Sequence, residues 1–92
     1  PGLGKNSVHL QVEGEILGFK HYLLTDPAGL VIDIKGARPY QPEGRKDFEG
    51  KEIRCMKTLK RDDGSRFIIY FNGKSVPQFE IIAHKSQIEV KL

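Results

Sequence analysis

Ninety-two residues, 38% hydrophobic and 29% charged, set the size of one globular domain with a single core. No apolar run approaches the ~20 residues of a membrane helix, and the one cysteine, Cys55, excludes both an intramolecular disulfide framework and a Cys-based zinc site. The net charge of +3 is mild and mixed: the densest basic segment, Arg45 to Arg66, also holds Asp47, Glu49, Glu52, Asp62 and Asp63, so the basic stripe of a nucleic-acid binder is missing.

Residues 1–6 have neither a charged n-region nor an apolar h-region, so this segment shows no signal peptide. With no initiating Met, they read as a flexible lead-in to a domain spanning residues 7–92, within a parent chain that carries further domains. Ser7 to Glu13 alternates Val8, Leu10 and Val12 against His9, Gln11 and Glu13, the period-2 signature of a half-buried strand. Ile16 to Leu24 is apolar with poorer alternation, consistent with a bulge or with cover on both faces. Asp26-Pro27-Ala28-Gly29 has turn chemistry and joins it to an antiparallel strand with Leu30, Ile32 and Ile34 inward and Val31, Asp33 and Lys35 outward. Gly36 ends that strand.

Ala37 to Glu49, with Pro39, Pro42, Gly44 and mixed charges, predicts a surface crossover with room for one helical turn at Arg45 to Glu49. Lys51 to Lys60 is a strand whose phase conflict, Lys57 on the side of Ile53 and Met56 off it, predicts a bulge near Cys55-Met56. Cys55 itself reads as a small core hydrophobe. Asp62-Asp63-Gly64-Ser65 is a hairpin turn into Arg66 to Phe71, with Phe67, Ile69 and Phe71 inward and Arg66, Ile68 and Tyr70 outward. Pro77 marks a strand entrance before Phe79, Ile81 and Ala83, and Ile88, Val90 and Leu92 close the chain in a last clean alternation.

The strand at Gly29 to Gly36 recurs 37 positions later at Arg66 to Gly73, each copy preceded by a polar turn, which suggests two similar halves packed together. About seven short strands and no convincing helix predict an all-β sandwich with an internal pseudo-twofold repeat.

On these residues the chain resembles an AMIN domain, the module named for the N-terminal region of N-acetylmuramoyl-L-alanine amidases and also found before type IV pilus secretins. The resemblance is carried by Asp26-Pro27-Ala28-Gly29-Leu30-Val31-Ile32-Asp33-Ile34-Lys35-Gly36, by its second copy Ser65-Arg66-Phe67-Ile68-Ile69-Tyr70-Phe71, and by the two-strand ending from Phe79 to Leu92. The family pattern is a Pro, a basic residue, an apolar triplet, an acid and a closing glycine. Here Gly29 stands where that base is common and Tyr70 where that acid is common, so each half keeps one member of the pair. The resemblance implies a symmetric, non-catalytic β-sandwich that anchors larger envelope proteins to peptidoglycan in the periplasm or cell envelope.

The residues add little chemistry of a catalytic kind. Asp62-Asp63 reads as turn capping, and His9, His21 and His84 have no ligand spacing, so neither metal nor cofactor is expected, and no enzyme activity. The outward row Arg66, Ile68 and Tyr70 is the first candidate ligand surface: an arginine fork grips a carboxylate bidentately and flat aromatic surface packs on sugar C–H faces. Packing beneath the crossover competes with that reading. Asp33 and Lys35 form a second candidate row, which also reads as a plain solvated face. The partner expected is peptidoglycan or an envelope protein, with no nucleic acid and no membrane span. The alternative function is a protein-interaction module that docks an envelope or secretion partner by strand addition at a sheet edge.

Overall fold

The computed structural model describes residues 7–48 and 52–92. The lead-in at residues 1–6, Glu49 and the first residue of the strand expected from Lys51 lie outside the described residues. The described chain forms β1 (Ser7–Glu13), β2 (Gly18–Thr25), β3 (Ala28–Lys35), β4 (Arg38–Pro39), β5 (Gly44–Asp47), β6 (Ile53–Arg61), β7 (Gly64–Phe71), β8 (Glu80–Ala83) and β9 (Gln87–Lys91). All pairings are antiparallel, in one sheet of order β4-β1-β9-β8 and another of order β2-β3-β7-β6-β5. The fold is an all-β sandwich, and among the described residues no helix is long and apolar enough to cross a membrane.

The period-2 pattern sets which side of each sheet is dry. Val8, Leu10 and Val12 of β1 and Ile88 and Val90 of β9 meet Leu30, Ile32 and Ile34 of β3 and Phe67, Ile69 and Phe71 of β7 in one buried cluster. Two buried hydroxyl residues, Ser65 and Thr58, sit on the same inward phase. The Ser65 hydroxyl donates to the Ala37 carbonyl at 2.7 Å, which ties the chain leaving β3 to the start of β7.

Of the two irregularities expected from sequence, only the one in β6 is a bulge: β2 pairs with β3 in an unbroken register and is exposed along most of its length, so neither the bulge nor the two-sided cover expected of Ile16 to Leu24 is there. The β6–β7 register shifts between Ile53 and Cys55, so Arg54 is the extra residue and Ile53 and Met56 both reach the core. Cys55 is buried, but it differs from the core placement expected of it: it lies on the outer face beside Tyr70 and Asp47. Gly36 ends β3 with φ of +97°, in the left-handed region where a side chain is strained.

The crossover carries more order than its composition predicts. Pro39 is in the edge strand β4, where a missing N–H breaks no ladder. Gly44–Asp47 is the exposed, charged edge strand β5 and not a helical turn, because pairing with β6 satisfies its backbone. These two short strands bring the count among the described residues to nine.

The two copies of the repeat are neighbours in one sheet, not members of two stacked halves. Leu30 faces Ile69 and Ile32 faces Phe67. Since Leu30 corresponds to Phe67 and Ile32 to Ile69 in the repeat, a local twofold between those two pairs exchanges β3 with β7.

Ile69 is fully buried at this twofold. Ile69→Ala should cost about 2–5 kcal/mol of unfolding free energy in a denaturant titration. A loss under ~1 kcal/mol would contradict the packing.

Candidate ligand-binding face

Alternation leaves the outer side of the five-stranded sheet to the side chains the core does not take, and the register arranges them in rows across the strands. One row runs Lys20, Asp33, Arg66, Leu59; the next runs Tyr22, Val31, Ile68, Lys57, Arg45. A third runs Leu24, Gly29, Tyr70, Cys55, Asp47. Lys20, Lys35, Arg45, Lys57, Arg61 and Arg66 therefore share one face with Asp33 and Asp47, and Asp63 stands beside them at the β6–β7 turn, so cations outnumber acids there by six to three.

Asp33 is the centre of this face. It is only 9% exposed, and both carboxylate oxygens are engaged. Arg66, directly opposite on β7, donates from Nε to Oδ1 at 2.7 Å and from Nη2 to Oδ2 at 3.1 Å, a bidentate grip. Arg61 on β6 donates from Nη1 to Oδ2 at 3.0 Å. The Tyr22 hydroxyl on β2 donates to Oδ2 at 3.0 Å and accepts from Arg66 Nη2 at 2.9 Å. The Arg66 hydrogen bonds hold the Asp33 carboxyl below its ordinary pKa; burial opposes this, and the Tyr22 hydrogen bond and the charges of Arg66 and Arg61 assist it. The same hydrogen bonds raise the Arg66 guanidinium further above its ordinary value.

The twofold partner of the Asp33–Arg66 pair is chemically different. The repeat carries Asp33 onto Tyr70 and Gly29 onto Arg66, and Gly29 and Tyr70 are indeed opposite one another. A Cβ on Gly29 would sit 3.2 Å from the Ile69 carbonyl oxygen and 3.4 Å from Tyr70 Cδ1, so the glycine leaves the space the tyrosine ring occupies. Lys57 Nζ lies 5.7 Å from the centre of that ring, in cation–π range.

Of the residues singled out from sequence, Arg66, Ile68, Tyr70, Asp33 and Lys35 all lie on this face. Arg66 and Asp33 are joined; Ile68 and Tyr70 are half-buried between neighbouring strands, and Lys35 is exposed at one end. The guanidinium expected to reach for a ligand is therefore largely committed to Asp33. Sequence reasoning missed Tyr22, Arg61, Lys20 and Lys57. The poor alternation of β2 left the sides of Tyr22 and Lys20 unread, and the bulge hid the phase of Arg61 and Lys57.

Beside the cluster is an open cavity of about 330 Å³ lined by Phe19, Lys20, Asp33, Lys35, Arg61 and Asp63, among others. With Asp33 already shared by two arginines, the lining is net positive and suits an anionic group. Among the described residues no three His, Cys, Asp or Glu side chains come together as a metal site. No family model matches the chain, nor does any curated protein or solved structure.

The depressed Asp33 pKa fixes a sign. The folded state favours the carboxylate, so this stabilisation is complete above the free-aspartate value of 3.8 and is lost as pH falls through the lower folded value. Unfolding titrations from neutral pH down to acid should show the parent losing stability below that value more steeply than Asp33→Asn. Parallel curves would contradict the assignment.

Proposed function

We propose that this chain is an AMIN-like, non-catalytic targeting module of the cell envelope, which binds peptidoglycan on the outer face of its five-stranded sheet and localises a larger protein. The observation that carries this reading is the cationic outer face, with Lys20, Lys35 and Arg61 lining an open cavity whose central carboxylate is already neutralised. Peptidoglycan offers matching chemistry: lactyl and stem-peptide carboxylates for the cations, and sugar C–H faces for Tyr70 and Ile68. The residue pattern shared with AMIN domains supports the same substrate and a periplasmic or envelope location.

Roles within the face divide by exposure. Lys35 is free to meet an anion, Tyr70 offers part of its ring, and Arg66, Asp33 and Tyr22 hold the surface in shape. A second reading, docking of an envelope or secretion partner by strand addition, has the open edge of β2 in its favour.

Sedimentation with purified sacculi separates these roles. Lys35→Glu should weaken binding about fivefold, roughly 1 kcal/mol, leave the melting temperature unchanged, and lose its effect in high salt. Tyr70→Ala should weaken binding at all salt concentrations, because stacking is not screened. Parental binding by both variants would sink the peptidoglycan reading.

A further inference from the structure

The two faces of the five-stranded sheet are taken by the core and the cationic surface, but one of its edges is not. β2 pairs all eight residues with β3 in an unbroken register, and among the described residues no strand pairs with its other side. Edge strands are normally guarded by brevity, charge, proline or a bulge. β4 has two residues and a proline, β8 has four residues, and β5 is Gly44-Arg45-Lys46-Asp47. β2 has none of these guards except Lys20, and it exposes Phe19 (39%), Tyr22 (41%) and Leu23 (53%).

We propose that this edge pairs with β2 of a second copy of the chain, antiparallel and centred on His21. The occupant is argued from charge and shape along the strand. Two copies that continue one sheet with their core sides together must oppose residues of the same phase, which limits the centre to a residue. Centring on Lys20 would place two ammonium groups directly opposite, which is destabilising. Centring on Tyr22 would set Lys20 against Leu24 of the other copy and waste both. Centring on His21 sets Phe19 against Leu23 twice on the core side and Lys20 against Tyr22 twice on the outer side. These are aromatic–aliphatic and cation–π cross-strand pairs, both favourable. At the dyad, each His21 ring already stands edge-on to its own Phe79, with centroids 5.8 Å apart.

This pairing joins two five-stranded sheets into one. It also brings the two cationic cavities, each lined in part by Phe19 and Lys20 of β2, to the two sides of the dyad. A polymeric ligand then meets two sites on one rigid body, and the second contact becomes intramolecular. The inference does not depend on which polymer that is.

The test is a set of variants of the chain in which Cys55→Ala removes the native thiol and one new cysteine is introduced, oxidised mildly, together with sedimentation equilibrium of the parent. His21→Cys should form a covalent dimer, because only residue 21 meets its own copy within the ~7 Å that a disulfide spans. Thr25→Cys should not, its two copies being roughly 27 Å apart at ~3.4 Å per residue. Phe19→Cys mixed with Leu23→Cys should cross-link, and neither should do so alone. The parent's mass should rise with concentration from 10.4 kDa toward twice that, while Leu23→Lys keeps its melting temperature and stays monomeric. A parent that remains monomeric at high concentration, a dimer retained by Leu23→Lys, or cross-linking at Thr25→Cys as readily as at His21→Cys would each overturn the proposal.

Discussion

A single carboxylate holds four of the five strands of the larger sheet together on its outer side. Asp33 projects from β3 and receives Arg66 from β7, Arg61 from β6 and the Tyr22 hydroxyl from β2. Burying a charge costs free energy that a single partner rarely returns. Here three partners share that cost, and the arginines stay partly in water, with side chains 40% (Arg61) and 33% (Arg66) exposed. The rest of the face depends on this arrangement. Without Asp33, Arg61 and Arg66 would repel one another across adjacent strands; with it, the sheet carries a dense cationic surface next to its own acid.

The internal repeat explains where this pair stands. The local twofold between β3 and β7 creates two equivalent cross-strand positions on the outer face. One is filled by an acid and a base, the other by Gly29 and Tyr70. The symmetric scaffold thus presents an asymmetric surface: an ion-paired end opening into a polar cavity, and an aromatic end capped by Lys57. A ligand with carboxylates at one point and apolar sugar faces at another matches both ends, which is the physical basis of the peptidoglycan reading.

Much of the architecture was legible in the residues. The inward phases of β1, β3, β7 and β9 follow from strict alternation, and the β6 bulge follows from the conflict between Lys57 and Met56. What could not be read was long-range register. Nothing local says that β3 and β7 are neighbours, so Asp33 and Arg66 stood out separately, as half-pairs on two copies, and their union across the sheet was invisible. The same gap hid β4 and β5, whose backbones are ordered by pairing with distant strands against their composition. β2 alternated poorly because it is an edge strand. Its Phe19 and Leu23 share the core side, yet the smaller sheet leaves them exposed.

The account rests on Asp33 and Arg66 acting as one unit across the repeat. A double-mutant cycle with Asp33→Ala, Arg66→Ala and the double variant, read by denaturant unfolding at neutral pH and low salt, measures this directly. The account predicts a favourable coupling energy of about 1–3 kcal/mol, as for charge-assisted pairs sharing a hydrogen-bond network, and a double variant less destabilised than the two losses added. Additive losses, with coupling near zero, would mean that the two side chains merely lie close and that the face is organised by something else.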